Sequence, residues 1–195
     1  MNIEIVGAGV VGSAFGRALL AGGHAVQWID SHPGRVQDLR ENGFTAALPD
    51  EPADPCPLYF ICVPTPPIGR DQDRTALSKA LARVAMLLRP ELSPTVVIRS
   101  TILPGTSRQW ALPSLERESG LRRSDHFRFV YCPEFLRERQ AAEDASAPRI
   151  HLLGESEPGQ GDVVAQILGG ARRPSFGCPS RRRNCRSTST TASTR

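Results

Sequence analysis

Residues 171–195 contain no aspartate or glutamate, yet they hold seven arginines. The net charge of +4 over 195 residues therefore sits in this tail, and the first 170 residues come to −3. The basicity belongs to the tail alone, and the tail lacks any recognisable nucleic-acid module, so a nucleic-acid partner is not expected. Apolar runs long enough to cross a bilayer are lacking, as is a basic-then-apolar leader before Ile3, so a cytoplasmic protein without membrane contact is expected. Cysteine is sparse and solitary. Cys56, Cys62, Cys132, Cys178 and Cys185 have neither the close pairs of a zinc site nor the density of a secreted disulfide scaffold. Reduced thiols and no metal are expected. What remains is an ordinary globular composition, 39% hydrophobic and 23% charged, on a chain long enough to bury a core unaided.

The body alternates strand and helix signals. Asn2 to Val6 reads as a strand and is followed by Gly7-Ala8-Gly9-Val10-Val11-Gly12. A helical apolar period then runs to Leu20, where Gly22-Gly23 stops it. Ala25 to Ile29 is a second strand, and Pro33 opens a helix to about Asn42 that Gly43 ends. Leu58 to Val63, Thr95 to Ile98, Phe127 to Tyr131 and a segment near Ile150 to Leu153 predict further strands. Thr75 to Arg89, Thr106 to Ser119 and about Pro158 to Leu168 predict helices. This order argues a parallel sheet covered on both faces.

The glycine-rich turn carries chemistry. Gly7 permits a tight turn, Gly9 lets backbone amides approach a pyrophosphate, and Gly12 lets helix and strand pack closely, with Val10 and Val11 completing the phosphate-facing turn. Asp30, at the end of the next strand and eighteen residues after Gly12, is placed to accept both ribose hydroxyls. The alternative is a glycine packing turn beside a solvated aspartate. In context, the pattern predicts a Rossmann-like, doubly wound α/β domain over residues 1–170 that binds NAD. The Asp30 carboxylate would repel a 2′-phosphate, while Arg35 leaves NADP as a lesser alternative.

In such sheets ligands sit outside the carboxyl ends of the strands. Three polar turns lie there: Pro64-Thr65-Pro66, Ser100-Thr101, and Cys132-Pro133-Glu134. Thr65 and Thr101 serve equally well as ligand contacts or as turn formers, and Glu134 equally well as a reacting carboxylate or as a solvated turn acid. Spacing alone does not choose.

Four ordered segments resemble the UDP-glucose/GDP-mannose 6-dehydrogenase family: the glycine turn, Cys62-Val63-Pro64-Thr65-Pro66, Arg99 to Thr106, and Pro133 to Glu138. The resemblance covers about residues 1 to 170. It implies oxidation of a nucleotide-sugar C6 alcohol to the carboxylate with two NAD, through a cysteine-bound thioester that water hydrolyses. It further implies that Glu134, its pKa raised by burial against Phe135, activates that water, and that Thr101 positions water and cofactor. Thr65 joins the cofactor contacts, Phe135 and Leu136 border the sugar, and Glu138 lies near the nicotinamide. Members pair as homodimers through a region not found here. The alternatives are a dinucleotide-binding remnant without turnover and a small hydroxy-acid reductase.

The departures from the family are specific. The stretch between the second helix and the third strand is short, and Cys132 stands where Asn or Ser is usual. The family's Gly-Gly-x-Cys-x-Pro-Lys-Asp nucleophile motif and its helical Lys and Asn are not among these residues, so the chain alone is expected to be inactive. Residues 171–195 read as a disordered basic tail in a shifted frame. With suitable choice among the permitted codons, Pro174 to Arg195 back-translated and read two bases on yields an apolar strand and a helix, with the Lys codon across Arg186 and Ser187 and the Asn codon across Thr190 and Thr191.

Overall fold

The computed structural model describes residues 1–134 and 152–169. Strands β1 (Asn2–Val6), β2 (Ala25–Ile29), β3 (Thr45–Ala47), β4 (Leu58–Ile61), β7 (Thr95–Ile98), β8 (Arg128–Tyr131) and β9 (Gly154–Glu155) form one sheet in the order β3-β2-β1-β4-β7-β8-β9. All neighbours are parallel except β9, which runs antiparallel to β8. A separate hairpin pairs β5 (Pro67–Ile68) with β6 (Asp71–Gln72). The chain winds outward from β1 through β2 to β3, then returns to β4 on the other side of β1. The crevice at that reversal, above the carboxyl ends of β1 and β4, is where ligands bind in this topology.

Both faces of the sheet are covered, which is why its strands read as continuous apolar runs. Helices α1 (Val10–Ala21) and α2 (Pro33–Glu41), with α5 (Asp162–Ile167), pack Phe15, Leu19, Val36, Leu39 and Val164 against Ile3, Ile5, Phe60 and Val97. Helices α3 (Thr75–Leu87) and α4 (Leu112–Ser119) pack Leu77, Leu81, Val84, Leu112 and Leu115 against Tyr59, Ile61, Val96 and Ile98. A fully buried Trp28 lies over Gly16 of α1 and donates its indole N–H to the Gly12 carbonyl at 2.9 Å, which ties β2 to α1. Between β1 and α3 the buried Glu4 and Arg83 meet at 3.5 Å, and Arg83 also reaches the Pro49 carbonyl.

Four features differ from the sequence reading. The helix expected from Thr106 begins as a π turn over Ser107–Ala111, with the Leu112 N–H bonded to the Ser107 carbonyl. Pro113 has no N–H to give the Gln109 carbonyl, so the looser turn forms where an α turn would lack a donor. Of the segment expected as a strand near Ile150 to Leu153, residues 150 and 151 lie outside the described residues and Leu152 and Leu153 are not in a strand, whereas Gly154–Glu155 forms one that runs antiparallel to β8. Leu153 packs into the core instead, while Gly154 admits the Tyr131 side chain, whose Cβ lies 3.5 Å from where a Gly154 Cβ would stand. The strand over Thr45–Ala47 and the β5–β6 hairpin were not expected, being too short to show a period. Residues 170–195, and with them the expected tail, lie outside the described residues.

Candidate functional site

The carboxyl ends of β1, β2, β4, β7 and β8 converge on a cleft of about 360 Å³. Gly7, Gly9, Val10, Val11 and Asp30 bound it on one side, and Thr65, Thr101 and Glu134 on the other. The structure thus gathers every described candidate residue into one cleft except Gly12, which lies beneath the turn against the Gly7 carbonyl. Phe135, Leu136 and Glu138 lie outside the described residues.

Local chemistry sets the turn. Gly7 has φ +105°, and a Cβ there would also stand 2.5 Å from the Cys62 carbonyl oxygen, so no other residue fits. Its N–H donates to the Ile29 carbonyl at 2.7 Å, and the chain then enters α1 at Val10. The first amides of α1 have no intrahelical acceptor, and they face the cleft with the positive end of the helix dipole.

Asp30 does more than was expected of it. One carboxylate oxygen accepts the Ala8 N–H at 2.7 Å and the other accepts the His32 N–H at 2.8 Å, so the nearly buried side chain itself fixes the glycine turn. The Arg35 guanidinium, half exposed, straddles both oxygens at 3.3 and 3.4 Å. The second lone pair of each oxygen is taken by Arg35, whose long contacts an outside donor such as a hydroxyl would have to displace. Beside Asp30 a further hollow of about 440 Å³ has the apolar walls Val63, Pro66, Ala76 and Ala80, with Lys79 and Arg83 at its edge.

The opposite wall is laced together. The Thr65 hydroxyl donates to the Thr101 carbonyl at 2.5 Å, and the Ser100 hydroxyl donates to the Val63 carbonyl at 2.6 Å. These two bonds tie the loops after β4 and β7 together, and the Thr101 side chain is left exposed.

Beneath this wall lies a charge arrangement that sequence reasoning missed. Arg99, at the end of β7, is 5% exposed. Its guanidinium stacks 4.1 Å over the Phe15 ring and donates to the Cys132 sulfur at 3.4 Å. Arg99 Nε and Glu134 Oε2 are both buried without a hydrogen-bond partner among the described residues. The available signal was a lone cation ending an apolar strand. Burial raises the Glu134 pKa and the Arg99 charge opposes the rise. Burial likewise pushes the Cys62 thiol up to about 12 and raises Cys132, which favours the protonated thiol at both. Among the described residues no group of three metal-capable side chains occurs, and no helix is long and apolar enough to cross a membrane.

The Glu134 shift has a definite consequence for stability. A carboxyl whose pKa rises on folding contributes stability that is complete below its ordinary value of 4.5 and is lost as the pH climbs through the folded value. Glu134→Gln, neutral throughout, is expected to raise the Tm above that of the parent at pH 8 and to leave it unchanged at pH 4. Equal effects at both pH values in thermal melts contradict the assignment.

Similarity to known proteins agrees with this geometry. Residues 43–169 match the model of the UDP-glucose/GDP-mannose dehydrogenase family, NAD binding domain. Residues 3–66 match that of ketopantoate reductase, which stops short of Thr101 and Glu134. The GDP-mannose 6-dehydrogenase of Pseudomonas syringae pv. syringae is 29% identical over 191 residues, covering 86% of this chain and 43% of the relative. That of Azotobacter vinelandii is 30% identical over 190 residues, covering 86% and 44%. The chain thus spans under half the length of the curated relatives it matches. A crystal structure of a ternary complex of GDP-mannose dehydrogenase from Pseudomonas aeruginosa superposes with a TM-score of 0.73 at 29% identity, covering 86% of this chain and 44% of that one. The UDP-D-ManNAc dehydrogenase of Pyrococcus horikoshii, at 21% identity and a TM-score of 0.76, shares the fold.

Proposed function

From the premise that the chain belongs to the UDP-glucose/GDP-mannose dehydrogenase family through its NAD-binding domain, we propose that it is the cofactor-binding part of a nucleotide-sugar 6-dehydrogenase. Its cofactor is NAD. The observation that carries the reading is the single cleft joining the glycine turn and Asp30 to Thr65, Thr101 and Glu134. The described residues fit the group: nothing lies within 4 Å of where a Gly9 Cβ would stand, so the turn leaves room for a pyrophosphate.

In this reading the amides of Val10, Val11 and Gly12 hold the pyrophosphate, and Asp30 accepts ribose hydroxyls in competition with Arg35. The hollow walled by Val63, Ala76 and Ala80 takes the adenine. When bound, NAD supplies the hydride acceptor for oxidation of the sugar C6 alcohol. Thr65 and Thr101 orient the cofactor, Phe135 and Leu136 border the sugar, and Glu138 lies near the nicotinamide. Glu134 takes the proton from the water that attacks the acyl carbon. A base suits that step when its pKa lies nearer neutrality than an ordinary carboxylate's, the direction in which burial moves Glu134.

The substrate class is a nucleotide sugar, GDP-mannose or UDP-glucose, since 6-dehydrogenases of both kinds match over most of this chain. We place the protein in the cytoplasm. The family match ends at residue 169, and we take residues 171–195 as lying outside the NAD-binding domain and as a product of a shifted frame. Resequencing the gene across this region tests the frame: a single-base correction that opens a reading frame into a Gly-Gly-x-Cys-x-Pro-Lys-Asp motif supports it, and an intact frame rejects it.

The 195 residues contain no such nucleophile motif, so the purified chain is expected to form no NADH from GDP-mannose or UDP-glucose. Turnover, read as absorbance of the reduced cofactor, would overturn that part of the proposal. A small hydroxy-acid reductase is disfavoured, because the ketopantoate reductase match stops at residue 66 while the dehydrogenase match continues through Glu134.

A further inference from the structure

Gln72 stands outside every motif that the function absorbs, on the short strand β6 of the hairpin beside the cleft. Its side-chain amide makes three bonds. Nε2 donates to the Thr101 carbonyl at 3.0 Å and lies 3.4 Å from the Thr65 carbonyl, and Oε1 accepts the Leu103 N–H at 2.8 Å. The carbonyl of residue 101 and the amide of residue 103 are the donor–acceptor pair that an extended segment offers to a neighbouring strand. A primary amide supplies both complementary groups, whereas a carboxylate can only accept and an aliphatic side chain offers neither. The hairpin is itself anchored. Gln72 pairs with Pro67, its N–H donates to Asp71 Oδ1 at 2.8 Å, and Asp71 holds Arg74 at 3.1 Å. The Arg74 guanidinium lies 5.2 Å over the Trp110 ring.

We propose that Gln72 is a positioning residue that staples the loop carrying Thr65 to the loop carrying Thr101 and so holds the far wall of the cofactor cleft in its binding geometry. This rests on the NAD-binding reading of the same cleft. Thr65 follows β4 and Thr101 follows β7, and these loops are also joined by the Thr65 hydroxyl on the Thr101 carbonyl and the Ser100 hydroxyl on the Val63 carbonyl. Gln72 adds a grip on both sides of Thr101, at its own carbonyl and at the amide of Leu103.

The experiment measures two quantities on the full 195-residue chain: NADH affinity by fluorescence, and hydrogen exchange of the Leu103 amide by NMR. Loss of one or two hydrogen bonds predicts that Gln72→Leu weakens NADH binding about 10-fold and speeds Leu103 exchange by about 10-fold or more. Gln72→Glu keeps the Leu103 bond, so its exchange stays near that of the parent while NADH binding still weakens as the Thr101 bond is lost. Unchanged Leu103 exchange in Gln72→Leu overturns the staple. Faster exchange with unaltered NADH affinity overturns the positioning role. A parent chain that does not bind NADH defeats the cofactor reading instead, and Leu103 exchange still decides whether the staple exists.

Discussion

Gly9→Val is expected to abolish measurable NAD binding while leaving the fold intact. Gly9 has φ −67° and ψ −170°, an extended conformation open to any residue. A Cβ there meets nothing within 4 Å, so valine costs the folded chain little. That vacant space is also where a pyrophosphate must approach the first amides of α1, and a branched side chain stands in its way. NADH affinity should fall at least about 100-fold, which corresponds to ~2.7 kcal/mol. Circular dichroism and the urea midpoint should stay at parent values. Unchanged affinity would remove the glycine turn from the site.

Gly12→Ala is expected to have the opposite signature, an effect on folding itself. An added Cβ would lie 1.9 Å from the Gly7 carbonyl oxygen and 3.3 Å from the Cys62 Cβ. The first obstacle is backbone, so no rotamer change relieves it. Either the turn deforms or α1 lifts from β4, and with α1 goes the Phe15 ring on which Arg99 stacks. Overpacking a core typically costs about 1–3 kcal/mol, and a backbone collision belongs at or above the top of that range. Against a total stability of about 5–15 kcal/mol this is a large fraction. The urea midpoint should drop steeply, and a midpoint equal to the parent's would contradict the packing role assigned to Gly12. The two glycines, three residues apart, thus separate binding from folding.

Much of the fold was legible because its strands are buried on both faces. The β-branched and apolar runs at Ala25–Ile29 and Thr95–Ile98 gave their strands to the residue. The helix stop at Gly22-Gly23 and the opening at Pro33 came from backbone chemistry that tertiary context rarely overrides. What escaped lacked a period. Thr45–Ala47 offers two alanines and a threonine, and the strands of the β5–β6 hairpin are two residues each. The antiparallel turn of β9 depends on its pairing with Tyr131, which no local pattern announces.

The site was legible by residue type but not by linkage. Position at strand ends pointed to Thr65, Thr101 and Glu134. Nothing in sequence said that Asp30 spends its first lone pairs on the Ala8 and His32 amides, or that Gln72 reaches across to Leu103. Arg99 is a similar case. It looks like part of a turn motif, yet the register of β4, β7 and β8 sets it in one row with Cys62 and Cys132 beneath Glu134. Such relations are set by the sheet register, and sequence spacing does not contain them.

The central claim is that these 195 residues hold NAD in the cleft at the β1–β4 reversal. Isothermal titration of NAD into the purified chain, with Gly9→Val titrated alongside, tests it most directly. Saturable one-to-one binding by the parent and none by the variant is the predicted result. Absence of binding in a parent chain shown to be folded, or equal binding by both, would contradict it.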